Sequence, residues 1–436
     1  MTWRPDLDQL AEEIRYAPSI FNSQPWFFKV TADDRIDMYI SNGINLYDRP
    51  DSGDQVDPRG RALRRSENDA SRVDPLAREF VISCGAALYN LRLAIRVAGH
   101  DLAVRLPPHP TRDRRLLASV EIMTGRVRAP TVAEQELYEA IWRRHTNRRP
   151  YTIVAAPLPI IVAMENAAIQ EGASLRLLHH HQARKWLDLA AEADRFFNEG
   201  KPKGLSGTAL QRYQIHQAYR SRWVNKQDGV PTTTFGPTPK GRAHVNREDF
   251  WLPREIRPFE EPQLMALSTD DDQILDWLRA GQALQHAILI GARYSVSPPY
   301  GLAAKYHAPY RYGLPGRHHF VRRWRRDLAY DGLSVSLLTQ PLEYYDVMRY
   351  DTGRKDAERE DAALRPRPLP WRFAELPQVI IRVGYAVQRA GVTPRHPKEQ
   401  VIVDARLKPP PGVRHARVQL LPEPEPPELS FRGEEE

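Results

Sequence analysis

Residues 17–26 read Ala17-Pro18-Ser19-Ile20-Phe21-Asn22-Ser23-Gln24-Pro25-Trp26. They connect a predicted helix, with apolar residues at helical spacing from Leu7 to Ile14, to a predicted strand. The prolines restrict the backbone, and the serine, asparagine and glutamine side chains between them supply hydrogen-bond donors and acceptors. Two interpretations are open: an ordinary capped loop, or the polar edge of a binding site for a planar heterocycle.

The chain that follows this stretch has the pattern of an α+β unit. Aromatic and β-branched residues on either side of the polar turn 31–35 predict a hairpin. A polar, turn-rich segment over 49–73 predicts a surface excursion. The predicted elements are strands Trp26–Val30 and Ile36–Ile40, a long helix over 75–99, and strands Leu102–Leu106 and Ala118–Met123.

A second unit begins at Thr131, where Thr-Val-Ala-Glu is a capping box ahead of a helix. The order of elements then repeats, and AGQALQHAIL from Ala280 aligns with CGAALYNLRL from Cys84. We therefore predict one repeat over 1–130, a second over 131–412, and an acidic Pro/Glu-rich tail over 413–436. The second repeat's predicted elements are strand 174–180, helix Gln182–Phe197, strand Gln263–Thr269, helix Asp276–Arg293, and strands 333–338 and 378–386.

A basic constellation, Arg143-Arg144-His145-Thr146-Asn147-Arg148-Arg149-Pro150-Tyr151, ends the helix that the capping box starts. Arginines with a hydroxyl between them can make charge-assisted bonds to a phosphate. An exposed basic helix end, favoured by the helix dipole, is the alternative. The residues alone leave both interpretations open.

Residues 17–26 resemble the signature segment of the nitroreductase superfamily, especially its double-length Acg-like branch. The resemblance implies a nitroreductase-like α+β fold whose two repeats form an intramolecular pseudo-dimer around FMN. It assigns the flavin ring to Pro18, Ser19, Asn22, Ser23, Gln24, Pro25 and Trp26. The spacing Arg144-x-Thr146-x-Arg148 is similar to the family motif that holds the FMN phosphate and ribityl chain.

Two later motifs extend the resemblance. Arg382-Val383-Gly384-Tyr385 and Thr393-Pro394-Arg395-His396-Pro397 are similar to the family's closing elements, which implies that Arg395 faces the FMN phosphate. The stretch 334–342 resembles the loop beside the flavin N5 edge and supplies Ser336 and Thr339 as candidates. Classical members tend to have a glycine-containing stretch there, so Ser336 and Leu337 leave less room for a substrate.

The function implied by the resemblance is an FMN-dependent oxidoreductase, with hydride transfer through flavin N5 from NADPH or NADH to an unknown small-molecule acceptor. The cofactor carries the redox chemistry, and no side chain need act as an acid or base. The alternative is an FMN-sequestering or storage protein, because the polar stretch 198–262 resembles the lid of Acg-like relatives.

Composition limits the classes of partner and binding site that we expect for this protein. The net charge of +8 combines a basic, aromatic insert over 296–332, an acidic tail, and a body in which both signs are interspersed. That insert could shape access to the flavin or be a surface elaboration, and stacking of its aromatics on nucleic acid is the less favoured alternative. The single cysteine, Cys84, excludes internal disulfides and cysteine-rich metal sites. We expect a cytoplasmic monomer with no bound metal and no membrane span.

Overall fold

The computed structural model describes residues 6–41, 77–106, 115–147, 155–179, 263–294, 333–337, 376–385 and 393–406. Several sequence predictions lie outside these residues. They concern the surface excursion 49–73, helix Gln182–Phe197, the lid-like stretch 198–262, the insert 296–332, the tail 413–436, and the site candidates Arg148 and Thr339.

The first repeat is built on one mixed sheet and a long helix. Its elements are α1 (Leu7–Arg15), β1 (Trp26–Ala32), β2 (Arg35–Ile40), α2 (Ala77–Val97), β3 (His100–Arg105) and β4 (Leu116–Val127). Asp6 starts α1 because its carboxylate accepts from the backbone N–H groups of Asp8 and Gln9. Apolar residues of β1 and β2 alternate toward α2, so the sheet buries one face against that helix.

The second predicted repeat has the same kinds of elements. They are α3 (Val132–Arg143), α4 (Leu158–Gln170), β5 (Ser174–Leu177), β6 (Gln263–Thr269), α5 (Ile274–Arg293), β7 (Leu333–Leu337), β8 (Leu376–Tyr385) and β9 (Ile402–Asp404). The predicted capping box at Thr131 is present, with reciprocal hydrogen bonds between Thr131 and Glu134. The structure confirms a mixed α+β architecture.

The two sheets share one strand order. The first runs β3-β4-β2-β1 and the second runs β7-β8-β6-β5, with antiparallel neighbours throughout both series. A difference lies at one edge: β9, from the end of the described chain, pairs in parallel with β1 and becomes a fifth strand of the first sheet. The C-terminal part of the chain therefore helps to build the first sheet.

The long helices α2 and α5 cross at two glycines, and this crossing forms the centre of the core. A Cβ on Gly85 would meet the backbone of Leu278, and a Cβ on Gly281 would meet the backbone of Ile82. The alignment of CGAALYNLRL with AGQALQHAIL makes Gly85 equivalent to Gly281 and Ile82 equivalent to Leu278. The two close approaches are thus reciprocal, as at a two-fold interface.

A second reciprocal pair lies one turn further along the same helices. The rings of Tyr89 and His286 stack with centroids 4.9 Å apart, and Gln285 Nε2 donates to Asn90 Oδ1 at 2.7 Å. Tyr89 aligns with Gln285, and Asn90 aligns with His286. Tyr89 therefore contacts the equivalent of Asn90, and Asn90 contacts the equivalent of Tyr89.

Helix α2 is long and apolar enough to cross a membrane by length and composition, but 83% of its most apolar window is buried inside the structure. This burial is typical of a core helix. Sequence periodicity missed α4, because Pro157 and Pro159 resemble helix breakers; here they occupy the N-cap and the first turn, where proline is tolerated.

Candidate functional site

The connection between α1 and β1 is a short, internally bonded loop. It contains a 3-10 turn over Ile20–Asn22, and Ser19 Oγ accepts the backbone N–H of Gln24 at 3.0 Å. Asn22 and Gln24 have φ angles of 57° and 48°, in the left-handed region that non-glycine residues rarely adopt. Such backbone strain persists only where surrounding contacts hold it, and it is common at functional sites.

Helix α2 supports this loop from below. The backbone N–H of Ile20 donates to Ser83 Oγ at 3.0 Å, and the Ser83 hydroxyl donates to the Glu79 carbonyl at 2.7 Å. Cys84 is fully buried, with its sulfur 3.5 Å from the Pro25 carbonyl oxygen, and burial raises the pKa of its thiol. The thiol is therefore a core group.

The 393–397 segment contacts the same loop from the far end of the chain. Asn22 Nδ2 donates to the Pro394 carbonyl at 2.8 Å, and Arg395 Nη1 donates to Asn22 Oδ1 at 3.0 Å. The backbone N–H of His396 donates to Gln24 Oε1 at 2.9 Å. Asn22 and Gln24 thus join two segments that are about 370 residues apart in sequence.

Two arginines meet at the C-terminal end of α1. Arg144, the C-cap residue of α3, is 3% exposed, and its Nη2 donates to the Tyr16 carbonyl at 2.8 Å while Nη1 donates to Thr146 Oγ1 at 3.3 Å. Arg395 Nη1 also reaches the Ala17 carbonyl at 3.4 Å, and its guanidinium lies 5.5 Å from the centre of the Tyr16 ring. The helix end therefore collects positive charge from two distant segments.

The electrostatics of this cluster favour an anion. Burial lowers the pKa of Arg395 to about 10; the charge of Arg15 lowers it further, and Tyr16 acts in the opposite direction. Desolvation, with the charges of Arg144 and Arg395, lowers the pKa of His145 to about 4, although part of that side chain reaches solvent. In the described part of the chain, no carboxylate pairs with Arg395.

The residues predicted to contact the ring lie in one region, but only some of their polar groups have hydrogen-bond partners. Pro18, Ser19 and Pro25 are buried in the loop. Ser23 Oγ and Trp26 Nε1 are buried and have no hydrogen-bond partner among the described residues. An unsatisfied buried donor of this kind is costly, and a ligand with acceptor atoms would relieve the cost.

The remaining candidates are less fully placed. Ser336 lies in β7, opposite Arg382 in the register with β8, so the first part of the 334–342 stretch is a strand, as predicted for 333–338. Arg382 is buried in β8 and donates to the Asn147 carbonyl at 3.3 Å, three residues after Arg144. The backbone that follows Arg144 is thereby attached to the second sheet.

Sequence reasoning missed several residues that build the site. Ser83 is the polar residue in the apolar run from Phe80 to Leu88 of α2, and that break in the pattern is a signal that could have indicated it. Tyr16, which contributes both a carbonyl and a ring to the arginine pair, carries no motif. The tie between Arg382 and Asn147 likewise has no local sequence signal.

The corresponding place in the second repeat has a different geometry. The connection from α4 to β5 is only residues 171–173, whereas α1 and β1 are joined by residues 16–25. A Cβ on Gly172 would lie 3.5 Å from Arg279 Cδ, so the Arg279 side chain packs over the turn. In the helix alignment Arg279 takes the place of Ser83. The described residues thus form the polar loop in the first repeat and a filled turn in the second.

Comparison with known proteins gives one consistent result. No family model matches the chain. Two proteins of Mycobacterium tuberculosis, from strains CDC 1551 and H37Rv, are each 28% identical to it over 274 residues, which are 63% of this chain and 69% of theirs. Both carry the name "Putative NAD(P)H nitroreductase". These similarities support the resemblance to the nitroreductase superfamily and an oxidoreductase of that type.

Proposed function

We propose that this chain is an FMN-dependent oxidoreductase of nitroreductase type, from the double-length Acg-like branch. The observation that carries the proposal is the convergence of residues 17–26, 144–147 and 393–396 on the end of α1. These are the segments whose sequences resemble the family's cofactor motifs. The similarity to the two mycobacterial proteins points to the same chemistry.

The residues present fit the two ends of FMN. Arg395, which has no carboxylate partner among the described residues, and the buried Arg144 form a cationic pair suited to a phosphate. The unsatisfied Ser23 hydroxyl and Trp26 indole N–H are donors suited to the carbonyl-rich edge of the flavin ring. We infer that Thr146, already bonded to Arg144, lies beside the ribityl chain.

The loop residues divide into two roles under this proposal. Ser19, Asn22 and Gln24 use described hydrogen bonds to shape the loop and attach it to the 393–397 segment. The Ser23 hydroxyl and the Trp26 indole N–H would donate to the cofactor. Bound there, FMN would supply the redox chemistry between NADPH or NADH and a small-molecule acceptor, while the protein would bind it, orient it and neutralise its phosphate charge.

We further propose that the two repeats form an internal pseudo-dimer, so that the chain acts as a monomer. Two features support it: the shared strand order of the sheets, and the reciprocal contacts of Gly85 with Leu278 and of Gly281 with Ile82. The free, buried thiol of Cys84 is compatible with a reducing compartment and is our basis for proposing a cytoplasmic location.

The decisive experiment is spectroscopic. The purified protein should show flavin absorption, and anaerobic addition of NADPH or NADH should bleach it rapidly. If dithionite reduces the bound flavin but neither nucleotide does, the result would reject the reductase and favour the sequestering alternative. Protein that neither carries nor takes up FMN would contradict the proposal as a whole.

A further inference from the structure

Described hydrogen bonds join α1 to α3 at two levels, and only the upper one involves the cationic pair. At the upper level Arg144 donates to the Tyr16 carbonyl. At the lower level the Tyr138 hydroxyl donates to Glu13 Oε1. Glu13 precedes Tyr16 and Tyr138 precedes Arg144, so the two bonds fix two successive points of α3 relative to α1.

The lower level is a small polar cluster of Gln9, Glu13 and Tyr138. Gln9 Nε2 donates to Glu13 Oε1 at 3.1 Å and to Tyr138 Oη at 3.1 Å. Glu13 is 2% exposed, and its Oε2 has no partner among the described residues. Burial raises the pKa of Glu13, an effect that the hydrogen bonds from Tyr138 and Gln9 oppose and that the charge of Asp6 reinforces. The Glu13 side chain is therefore buried, although Gln9 at the rim of the cluster is exposed.

Glu13 is itself held in place by the helix crossing. Asn90 Nδ2 on α2 donates to the Glu13 carbonyl at 2.8 Å, and Asn90 in turn accepts from Gln285 on α5 at 2.7 Å. A chain of hydrogen bonds thus runs from the centre of the core to Glu13. Asn90 bonds to the Glu13 backbone carbonyl, whereas the Tyr138 hydroxyl on α3 bonds to the Glu13 carboxylate.

Tyr138 lies six residues before Arg144, about 9 Å along α3 at the rise of an α-helix. We propose that Tyr138, through its bond to Glu13, is a positioning residue that sets where the Arg144 guanidinium meets the cofactor phosphate. This inference rests on the proposed function, because it needs a phosphate at the cationic pair. Burial and the Glu13 hydrogen bond raise the pKa of Tyr138 to about 12, so the phenol stays a donor at neutral pH.

The hydroxyl can be separated from the ring by mutation. The Tyr138 ring packs edge-to-face on Trp142, with centroids 4.9 Å apart, and Tyr138→Phe keeps that contact. Replacing Glu13 with Gln keeps an acceptor oxygen in a group of nearly the same shape, whereas Glu13→Ala removes it. Tyr294→Phe, at the C-cap of α5, is the matched control for loss of a phenol elsewhere.

The test titrates the full-length protein, freed of flavin, with FMN and with riboflavin, following the quenching of flavin fluorescence. Tyr138→Phe should weaken FMN binding about threefold to tenfold, the effect of losing a single positioning hydrogen bond. Riboflavin, which lacks the phosphate, should change far less. Glu13→Ala should resemble Tyr138→Phe, while Glu13→Gln and Tyr294→Phe should stay close to wild type.

A double-mutant cycle decides whether the effect passes through Arg144. In an Arg144→Ala background, Tyr138→Phe should have almost no further effect on FMN binding. Equal losses for FMN and riboflavin, or full additivity in the cycle, would make Tyr138 merely structural. Wild-type protein that binds FMN, with Tyr138→Phe unchanged, would overturn only this inference; wild-type protein that binds no FMN would overturn the proposed function with it.

Discussion

Under the proposed function, the arginine pair at the end of α1 would both bond to the helix end and bind the cofactor phosphate. Arg144 and Arg395 donate to the Tyr16 and Ala17 carbonyls, which belong to the helix terminus where backbone acceptors lack intrahelical partners. An arginine guanidinium carries five N–H donors, so Arg395 can bond to the helix end and still donate to a ligand. The positive charge of Arg15 disfavours the charged form of Arg395, and a bound anion would offset that repulsion.

Replacing Arg395 with Ala should separate these roles. FMN retention should weaken by about 1.5 to 3 kcal/mol if Arg395 makes a charge-assisted bond to the phosphate. Riboflavin binding should change much less. Flavin fluorescence titration measures both affinities.

Arg406→Ala is the matched control for this prediction. Arg406 belongs to the same C-terminal segment but pairs with Asp404 and with Asp33 at the surface. Its removal should leave FMN affinity unchanged. If Arg395→Ala weakens FMN and riboflavin equally, the capping role alone explains the residue.

At the scale of elements, the crossing of α2 and α5 depends on the absence of two side chains. A Cβ on Gly281 would lie 2.7 Å from Gly85 Cα and closer still to the Ile82 carbonyl oxygen. These contacts are with backbone, which cannot turn aside as a flexible side chain does. The helices therefore approach closely enough to bury the polar contacts of Asn90 and His286 between them.

Gly281→Ala should destabilise the protein by about 1 to 3 kcal/mol, as overpacking of a well-packed core does. This loss exceeds the gain in helix propensity of up to about 1 kcal/mol that alanine brings. Urea unfolding followed by circular dichroism measures the difference. Gly125→Ala in β4 is the control, because no atom lies within 4 Å of its added Cβ. Equal stability of the two variants would refute the close crossing.

At the scale of the whole molecule, the two predicted repeats have sheets of the same strand order but differ at the candidate site. The first repeat keeps the polar 16–25 connection over Ser83 and receives β9 at its sheet edge. The second has the 171–173 turn with Arg279 packed on it. An internal duplication would therefore leave one competent site.

We accordingly expect the chain to bind a single FMN. Flavin released from a known amount of protein by heat or acid, and quantified by absorbance, gives the stoichiometry. Size-exclusion chromatography with light scattering should show the mass of one chain. A ratio near two flavins per chain would contradict the asymmetry between the repeats.

The sequence by itself determined the local elements of this protein. Period-two and helical patterns predicted β1, β2, α2, β6, α5 and β8, and the side-chain pattern of Thr131 to Glu134 predicted the start of α3. The alignment of the two long helices indicated the repeat, and residues 17–26, 144–148 and 393–397 indicated the candidate site. These signals are local, because propensity, capping and amphipathicity act between residues a few positions apart.

Only the tertiary structure decided which distant groups meet. Four contacts join residues more than 100 positions apart. They are the pairing of β9 with β1, the hydrogen bond from His396 to Gln24, the approach of Gly85 to Gly281, and the hydrogen bond from Tyr138 to Glu13. A contact of this kind leaves no periodic trace in a single sequence, since each partner looks ordinary among its own neighbours. Packing of the two repeats around the α2–α5 crossing brings them together.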